Sequence, residues 1–330
     1  MAGDTPILEV TDLTVSVRLP NGGRANVVSG VSFLIAEGDT LGLVGESGSG
    51  KTLTSLAIMG LLPPAARIES GQILLEGENL REKSAREMQR IRGKRIVMML
   101  QDAMTALDPS YNVRSQLAAP LRQHHNLSGR GLEAALVSSL EQVHLAAAKE
   151  RLRQYPHQLS GGMRQRVASA IALAGGPRLL IADEPTSALD ATTQVRYLQL
   201  LQELQESSGF GLLFVTHDLL IVRHLCERMI VMYASEVMEE GVVAEVFSSP
   251  LHPYTRALLG AIPAMGETVR LESIEGQPPD IGDEIIGCRF APRCKFARDV
   301  CRSTDPKLSA RGTDRKARCW GTEPDGWIAS

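Results

Sequence analysis

Aromatic residues are scarce in this chain: they make up 4% of its 330 residues, whereas 43% are hydrophobic. A sizeable core must therefore be aliphatic. Positive charge is in no excess either, because 35 Lys and Arg face 38 Asp and Glu for a formal net charge of -3. Such a chain has no global positive field to draw it to nucleic acid or anionic lipid, so DNA binding is disfavoured. No apolar run reaches the ~18 to 20 residues that a membrane-spanning helix needs. The opening Met1-Ala2-Gly3-Asp4-Thr5-Pro6 lacks the basic and apolar segments of an ordinary secretory signal. The expectation is a soluble or peripheral chain whose membrane role, if any, is lent by partners. Cysteine is rare until the end: of five, only Cys226 precedes Cys288. Without an export signal these are expected as thiols or metal ligands rather than disulfides.

What is present is an alternation of short apolar runs and amphipathic stretches. Residues 7–17 and 27–35 read as two strands joined by the turn-rich Pro20-Asn21-Gly22-Gly23. The apolar run Thr40-Leu41-Gly42-Leu43-Val44 fits a buried parallel strand, and Gly45-Glu46-Ser47-Gly48-Ser49-Gly50-Lys51-Thr52 follows it directly. A helix is expected from there to about Leu61, stopped by Pro63-Pro64. Strand, glycine loop and helix are together the setting of a phosphate-binding loop. Its glycines let successive backbone N–H groups turn inward around phosphate oxygens, Lys51 adds charge for the β and γ phosphates, and the Thr52 hydroxyl can hold Mg²⁺.

Residues 103–155 change to polar, helix-forming texture and read as an inserted helical subdomain. Alternation then resumes with a helix over 163–174, a strand over 179–182, and a helix over 191–206 with Val195, Leu198, Leu201 and Leu204 near one stripe. Strands over 211–215 and 228–233 follow. Cys226 falls in a helical pattern and is expected to be a buried core thiol. The whole predicts an α/β core with a mainly parallel sheet.

Three further motifs sharpen the reading: Ser160-Gly161-Gly162 opening a helix, Asp183-Glu184 closing an apolar strand, and Ser187-Ala188-Leu189-Asp190. In type, order and spacing, over residues 7–262, the chain resembles the ATP-binding-cassette family of ATPases. The resemblance implies a cassette with antiparallel N-terminal strands, a mainly parallel core sheet and a helical subdomain at about 103–165. It implies ATP and Mg²⁺, with Thr52, Asp183 and Gln101 around the metal. It further implies that Glu184 polarises the attacking water, that His217 contacts the γ-phosphate and that water, and that Gln101 senses both and links the core to the helical subdomain. Ser160, Gly161, Gly162 and Asp190 are then expected to complete the nucleotide pocket of a second ATPase subunit in a head-to-tail pair. Two departures stand out. Met163 occupies a signature position that is often Gln, and Val15-Ser16-Val17 has no aromatic where many cassettes stack adenine.

Residues 263–330 have little periodicity and hold Cys288, Cys294, Cys301 and Cys319, with intervening gaps of five, six and seventeen residues. These gaps are wider than the paired spacing usual for structural zinc. With His252-Pro253-Tyr254-Thr255 and Gly276-Gln277-Pro278-Pro279, the tail resembles the C-terminal extension of the dipeptide and oligopeptide importer branch. In that branch four such cysteines in some members hold a [4Fe–4S] cluster; a cluster, zinc and free thiols are all open here. The expected organisation is a cassette over 1–262 and a Cys-rich extension over 263–330. The expected function is ATP hydrolysis that powers import of di- or oligopeptides at the cytoplasmic face of the inner membrane. Expected partners are two transmembrane permease subunits and an external solute-binding protein. Nickel, metal chelates or opine-like solutes are alternatives. A soluble cassette acting on nucleic acid or the ribosome is the alternative of another class, although the chain lacks the second cassette or long coiled-coil insertion usual there. A non-catalytic regulatory cassette is disfavoured because Glu184, Ser160 and His217 are all present.

Overall fold

The computed structural model describes residues 6–100, 106–262, 274–323 and 325–328. Two sheets form its frame. The first is antiparallel and contains β1 (Leu8–Arg18) and β2 (Arg24–Ile35). After β3 (Thr40–Val44) and the helix Lys51–Met59, the chain returns to this sheet as β4 (Ala66–Leu75) and β5 (Glu78–Asn79), giving the order β2-β1-β4-β5. The helix ends where Gly60 takes the left-handed conformation, just before the predicted Pro stop.

The second sheet is built around β3. Its other members are β6 (Ile96–Met99), β7 (Leu179–Asp183), β8 (Gly211–Thr216), β9 (Arg228–Tyr233), β10 (Glu236–Val242), β11 (Ser309–Ala310) and β12 (Lys316–Ala317), in the order β11-β12-β10-β9-β3-β8-β7-β6. The pairings from β9 through β3, β8 and β7 to β6 are parallel, as the alternating pattern predicts. β10, β12 and β11 pair antiparallel. Every residue of β3, β7 and β8 is buried, which explains why these strands read as continuous apolar runs rather than as alternations. One apolar cluster fills the space between the two sheets and a second lies under the helices. At roughly 1.5–3 kcal/mol for each buried aliphatic side chain, an aliphatic core suffices without many aromatics.

The helical insertion contains the helices Val113–His125 and Gly129–Gln142, which pack on Gly161–Leu173. The helix Ala191–Ser208 departs from its predicted stripe. Tyr197, Leu200, Leu201 and Leu204 face inward while Val195 is exposed. The buried set follows i, i+3, i+4, i+7 from Tyr197, whose hydroxyl reaches the Ser169 hydroxyl at 3.0 Å. Cys226 is buried as expected, against Gly42 of β3, where a Cβ would lie 3.4 Å from its sulfur.

The tail adds strands to the main sheet: Glu239 and Glu240 of β10 pair with Ala317 and Lys316 of β12. Glu239, fully buried, accepts N–H groups from Leu251 and His252 and pairs with Arg315 at 2.7 Å. Removing either charge would leave the other buried and uncompensated. The antiparallel strand β10 and the short β11 and β12 have no counterpart in the predicted alternation. The brevity of β11 and β12, two residues each, explains why those two give no pattern.

Candidate nucleotide site

Adjacent parallel strands end together, and their carboxyl ends make the site. Val44 of β3 lies beside Thr216 of β8, and Val215 lies beside Asp183 of β7. The loop 45–52, the Asp183–Glu184 pair and His217 therefore converge on one edge of the sheet, the edge at which open α/β sheets bind ligands.

The loop's backbone explains its glycines. Gly45 has φ 152°, and a Cβ there would sit 2.1 Å from the Met232 carbonyl oxygen; Gly50 has φ 103°, and a Cβ there would sit 2.3 Å from that of Val27. Gly50 opens the helix Lys51–Met59 without any side-chain cap, so that terminus keeps donors for an anion. Lys51 is buried and folds over the loop, donating from Nζ to the carbonyls of Gly45 (2.8 Å) and Glu46 (2.9 Å) and to Ser49 Oγ (3.4 Å). Burial pulls its pKa down, and the charges of Glu184, Asp183 and Glu46 act in the opposite direction. Ser47, Gly48 and Thr52 are exposed at the loop's mouth.

Asp183 is 3% exposed, and its Oδ1 has no hydrogen-bond partner among the described residues. Burial raises its pKa, and a hydrogen bond with Thr52 partly offsets this. An orphaned carboxylate oxygen beside a threonine hydroxyl fits a hard divalent cation with oxygen ligands, and Thr52 and Asp183 are the residues that would hold Mg²⁺. When bound, that ion supplies neutralisation of phosphate oxygen charge. Gln101, expected in the same set, lies outside the described residues.

Glu184 adopts φ 46°, a left-handed conformation uncommon for a residue with a Cβ and typical of functional turns. Its N–H is held by the Val215 carbonyl at 2.8 Å. Its carboxylate and the His217 ring meet at 2.9 Å through Nδ1. An ionised carboxylate only accepts, so Nδ1–H donates and the ring's Nε2 is turned elsewhere. Sequence reasoning picks both residues but not their contact, which joins β7 and β8 across the site. Glu184 is mostly enclosed and His217 is exposed. The pair can orient a water against a terminal phosphoryl group, the main demand that phosphoryl transfer places on a protein.

Ser160, Gly161 and Gly162 begin the helix Gly161–Leu173, which starts at Gly161 rather than the predicted Met163, with the Ser160 hydroxyl accepting from Met163 N–H at 3.3 Å. Asp190 likewise caps Ala191–Ser208, taking hydrogen bonds from Thr193 N–H (3.0 Å) and Thr193 Oγ1 (2.7 Å), which lower its pKa. These two motifs are neighbours: a Cβ on Gly162 would lie 2.6 Å from Thr193 Cγ2. Val17, where an adenine-stacking aromatic is often found, pairs with Ala25 and Ala66 in the antiparallel sheet.

The chain matches the family described as ABC transporter over residues 28–187 and that described as oligopeptide/dipeptide transporter, C-terminal region, over 238–301. A probable peptide ABC transporter ATP-binding protein of Sinorhizobium fredii is 45% identical, covering 89% of this chain and 88% of its own length. This chain belongs to the ABC transporter ATPases. The oligopeptide transport ATP-binding protein OppD of Bacillus subtilis is another relative, 42% identical over 97% of this chain and 90% of its own. Among solved structures, a dimeric ATP-binding cassette in a post-hydrolysis state bound to ADP and Pi superposes with TM-score 0.64 at 28% identity, covering 72% of this chain and 98% of that one. CbiO1 from Clostridium perfringens gives 0.63 at 25%, covering 74% and 92%. No helix among the described residues is long and apolar enough to cross a membrane.

The four tail cysteines of this ABC ATPase line one small, mostly apolar cavity, together with His252, Phe290, Trp320 and Trp327. None is in a disulfide. Burial pushes the Cys288 thiol up to about 12 and Cys294 up to about 11, and raises Cys319 as well. Among the described residues no group of three or more His, Cys, Asp or Glu side chains is placed to hold a metal ion. The four cysteines share a cavity, but the described residues give no evidence for the expected iron–sulfur cluster.

Two site residues escape sequence reasoning: Tyr254 and Arg293, both of which touch Glu46 of the phosphate loop. The signal for Tyr254 was its place in His252-Pro253-Tyr254-Thr255. That for Arg293 was its place in Pro292-Arg293-Cys294, part of the tail's resemblance to the importer-branch extension.

Proposed function

We propose that this ABC ATPase is the energy-supplying subunit of a peptide importer. ATP closes two cassettes head to tail, hydrolysis reopens them, and two membrane permease subunits turn the cycle into uptake of di- or oligopeptides delivered by an external binding protein. The observation that carries the reading is the union, in one chain, of an ABC transporter region with a C-terminal region of the oligopeptide/dipeptide type. The relatives described by name as peptide transport proteins favour peptides over nickel, chelates or opines. The absence of a positive charge excess supports the exclusion of nucleic acid as a partner. The chain then sits peripherally at the cytoplasmic face of the inner membrane. A largely apolar cavity of about 400 Å³ between the β6 edge and the helical insertion, lined by Val97, Met98, Leu107, Pro120 and Ile171, suits a membrane subunit's cytoplasmic segment. Residues 1–262 act as the cassette and 263–330 as its extension.

Isolation from the membrane with its neighbours tests the class, with two multi-span subunits as the expected companions. Stimulation of hydrolysis in the reconstituted complex by peptide-loaded binding protein tests the solute. Stimulation by a nickel chelate and not by peptide would replace the peptide reading.

The finer reading of the tail is that Cys288, Cys294, Cys301 and Cys319 hold a [4Fe–4S] cluster; its motive is the gathering of four cysteines in one short tail. Anaerobically prepared protein is then brown, with about four iron and four sulfide per chain. Cys294→Ser should loosen the tail before it alters phosphate chemistry. One zinc per chain, or colourless, metal-free and fully active protein, would remove the cluster.

A further inference from the structure

We propose that Arg293 and Tyr254 are positioning residues for ATP binding, a clamp by which the C-terminal extension holds the phosphate loop through Glu46. The Glu46 backbone N–H donates to Tyr254 Oη at 3.0 Å, and its carboxylate pairs with Arg293 Nη1 at 2.8 Å. Both ends of one loop residue are thereby fixed by residues more than two hundred positions downstream. The same Glu46 offers its carbonyl to Lys51 Nζ at 2.9 Å and to Ser49 N–H at 3.3 Å. The placement of Glu46 thus sets that of the phosphate-binding lysine.

The clamp is itself rigid. Arg293 is 6% exposed, and it also donates to Tyr233 Oη (3.3 Å) and to the Glu275 (3.0 Å) and Ile274 (3.4 Å) carbonyls, with its guanidinium carbon 5.6 Å from the Tyr233 ring centre. Tyr254 is fully buried, and its ring lies 4.7 Å from that of Tyr233 and 5.3 Å from that of Phe290. Ion pairs this enclosed are screened little by salt, and their geometry is held by packing rather than by the pair alone.

Charge gives Arg293 a second task. Glu46 is an acid beside the place where polyphosphate is cradled, close enough for its charge to act on Lys51. Arg293 neutralises it. Without the guanidinium, the carboxylate would compete with ATP for Lys51 and repel the phosphates. The defect would appear in nucleotide affinity rather than in the water-orienting step, which Glu184 and His217 carry out.

The inference rests on residues 45–52 being the nucleotide cradle. The test is ATP affinity and steady-state hydrolysis in the full-length chain with Mg²⁺. Arg293→Ala should raise KM and Kd for ATP about tenfold, with kcat within about twofold. Adding Glu46→Gln to Arg293→Ala removes the orphaned charge and should recover most of that loss, which a merely structural tail contact would not. Tyr254→Phe, which keeps the ring and the packing, should raise KM about threefold without lowering the melting temperature appreciably. It serves as the deciding variant if Arg293→Ala does not fold. A normal KM in Arg293→Ala, or no recovery in the double variant, overturns the role of Arg293; a normal KM in Tyr254→Phe overturns that of Tyr254. Lys51→Ala separates the two levels: if it still binds ATP the cradle itself is misplaced, whereas if it does not, the failure belongs to the clamp alone.

Discussion

Two helix N-termini in this ATPase have a glycine at their cap or first residue, and they differ in what satisfies them. The one at Lys51 has no side-chain cap, has Gly50 in a left-handed conformation, and is covered by a buried lysine bonded to its own loop. The one at Gly161 is capped by the Ser160 hydroxyl, and Ser160 and Gly161 are exposed. The first carries its cation and its acids with it, because the neighbouring strand ends deliver Asp183, Glu184 and His217. The second brings only a hydroxyl and backbone N–H groups on an open face. A helix terminus is a binding site in proportion to what the rest of the fold places around it, and by that measure one is nearly complete and the other would need a partner to complete it.

The largest expected effect separates chemistry from binding within the complete site. Glu184→Gln should keep ATP affinity while lowering turnover by about a hundredfold or more, since shape is retained and the carboxylate is lost. Separate binding and steady-state measurements check this; turnover near the unmodified rate would take Glu184 out of the reaction. Next in size is Ser160→Arg, which should abolish most hydrolysis at a site whose Lys51 lies on another subunit. Mixed assemblies carrying Ser160→Arg on one chain and Lys51→Ala on the other report which loop is affected. If Ser160→Arg disabled the phosphate loop of its own chain, the contrast between the two termini would break.

A smaller effect sharpens the same contrast. Ser160→Ala removes a cap worth about 1 kcal/mol, so thermal unfolding should move down by about 2–4 °C while ATP binding to the chain's own loop stays unchanged. A loss of that binding would tie the two termini together. The smallest effect is in the tail. Burial raises the Asp305 carboxyl to about 6, with the nearby Glu236 charge adding to the shift and Arg318 opposing it. An acid whose pKa is higher folded than unfolded takes up a proton on folding, so stability should rise as pH falls from about 7 toward 4. Asp305 is partly exposed and solvent screens it, so the change is on the order of 1 °C; it should vanish in Asp305→Asn, as differential scanning against pH would show.

Much of the site was legible because its residues are contiguous. Residues 45–52 declare themselves through glycines that the backbone requires, and Asp183-Glu184 through acids that end a buried apolar run. The buried strands β3 and β9 match their predicted limits, since continuous apolar runs bounded by turns admit few other readings. The stripe of Ala191–Ser208 was misjudged because Val195 is apolar but exposed, and Tyr197, amphipathic by nature, is the buried anchor. Phase on a helix is decided by the surface it meets, which no local pattern contains. The antiparallel strand β10 and the short β11 and β12 escaped as well. β11 and β12 are two residues each and join the sheet only because β12 pairs with the distant β10.

The sequence by itself therefore determined the class: that the chain is an α/β ATPase with a glycine-rich loop after a buried strand, with acids that end another strand in the core, and with a cysteine-bearing tail. Only the tertiary structure decided which of these groups touch. The Glu184–His217 contact depends on the side-by-side register of two strands, and the hold of Arg293 and Tyr254 on Glu46 depends on the tail folding back across the sheet. Local composition governs backbone conformation and burial preference, both short-range quantities. Hydrogen bonds between residues hundreds of positions apart form only after the core has closed and brought their donors and acceptors within 3 Å, and nothing in either segment alone specifies the partner.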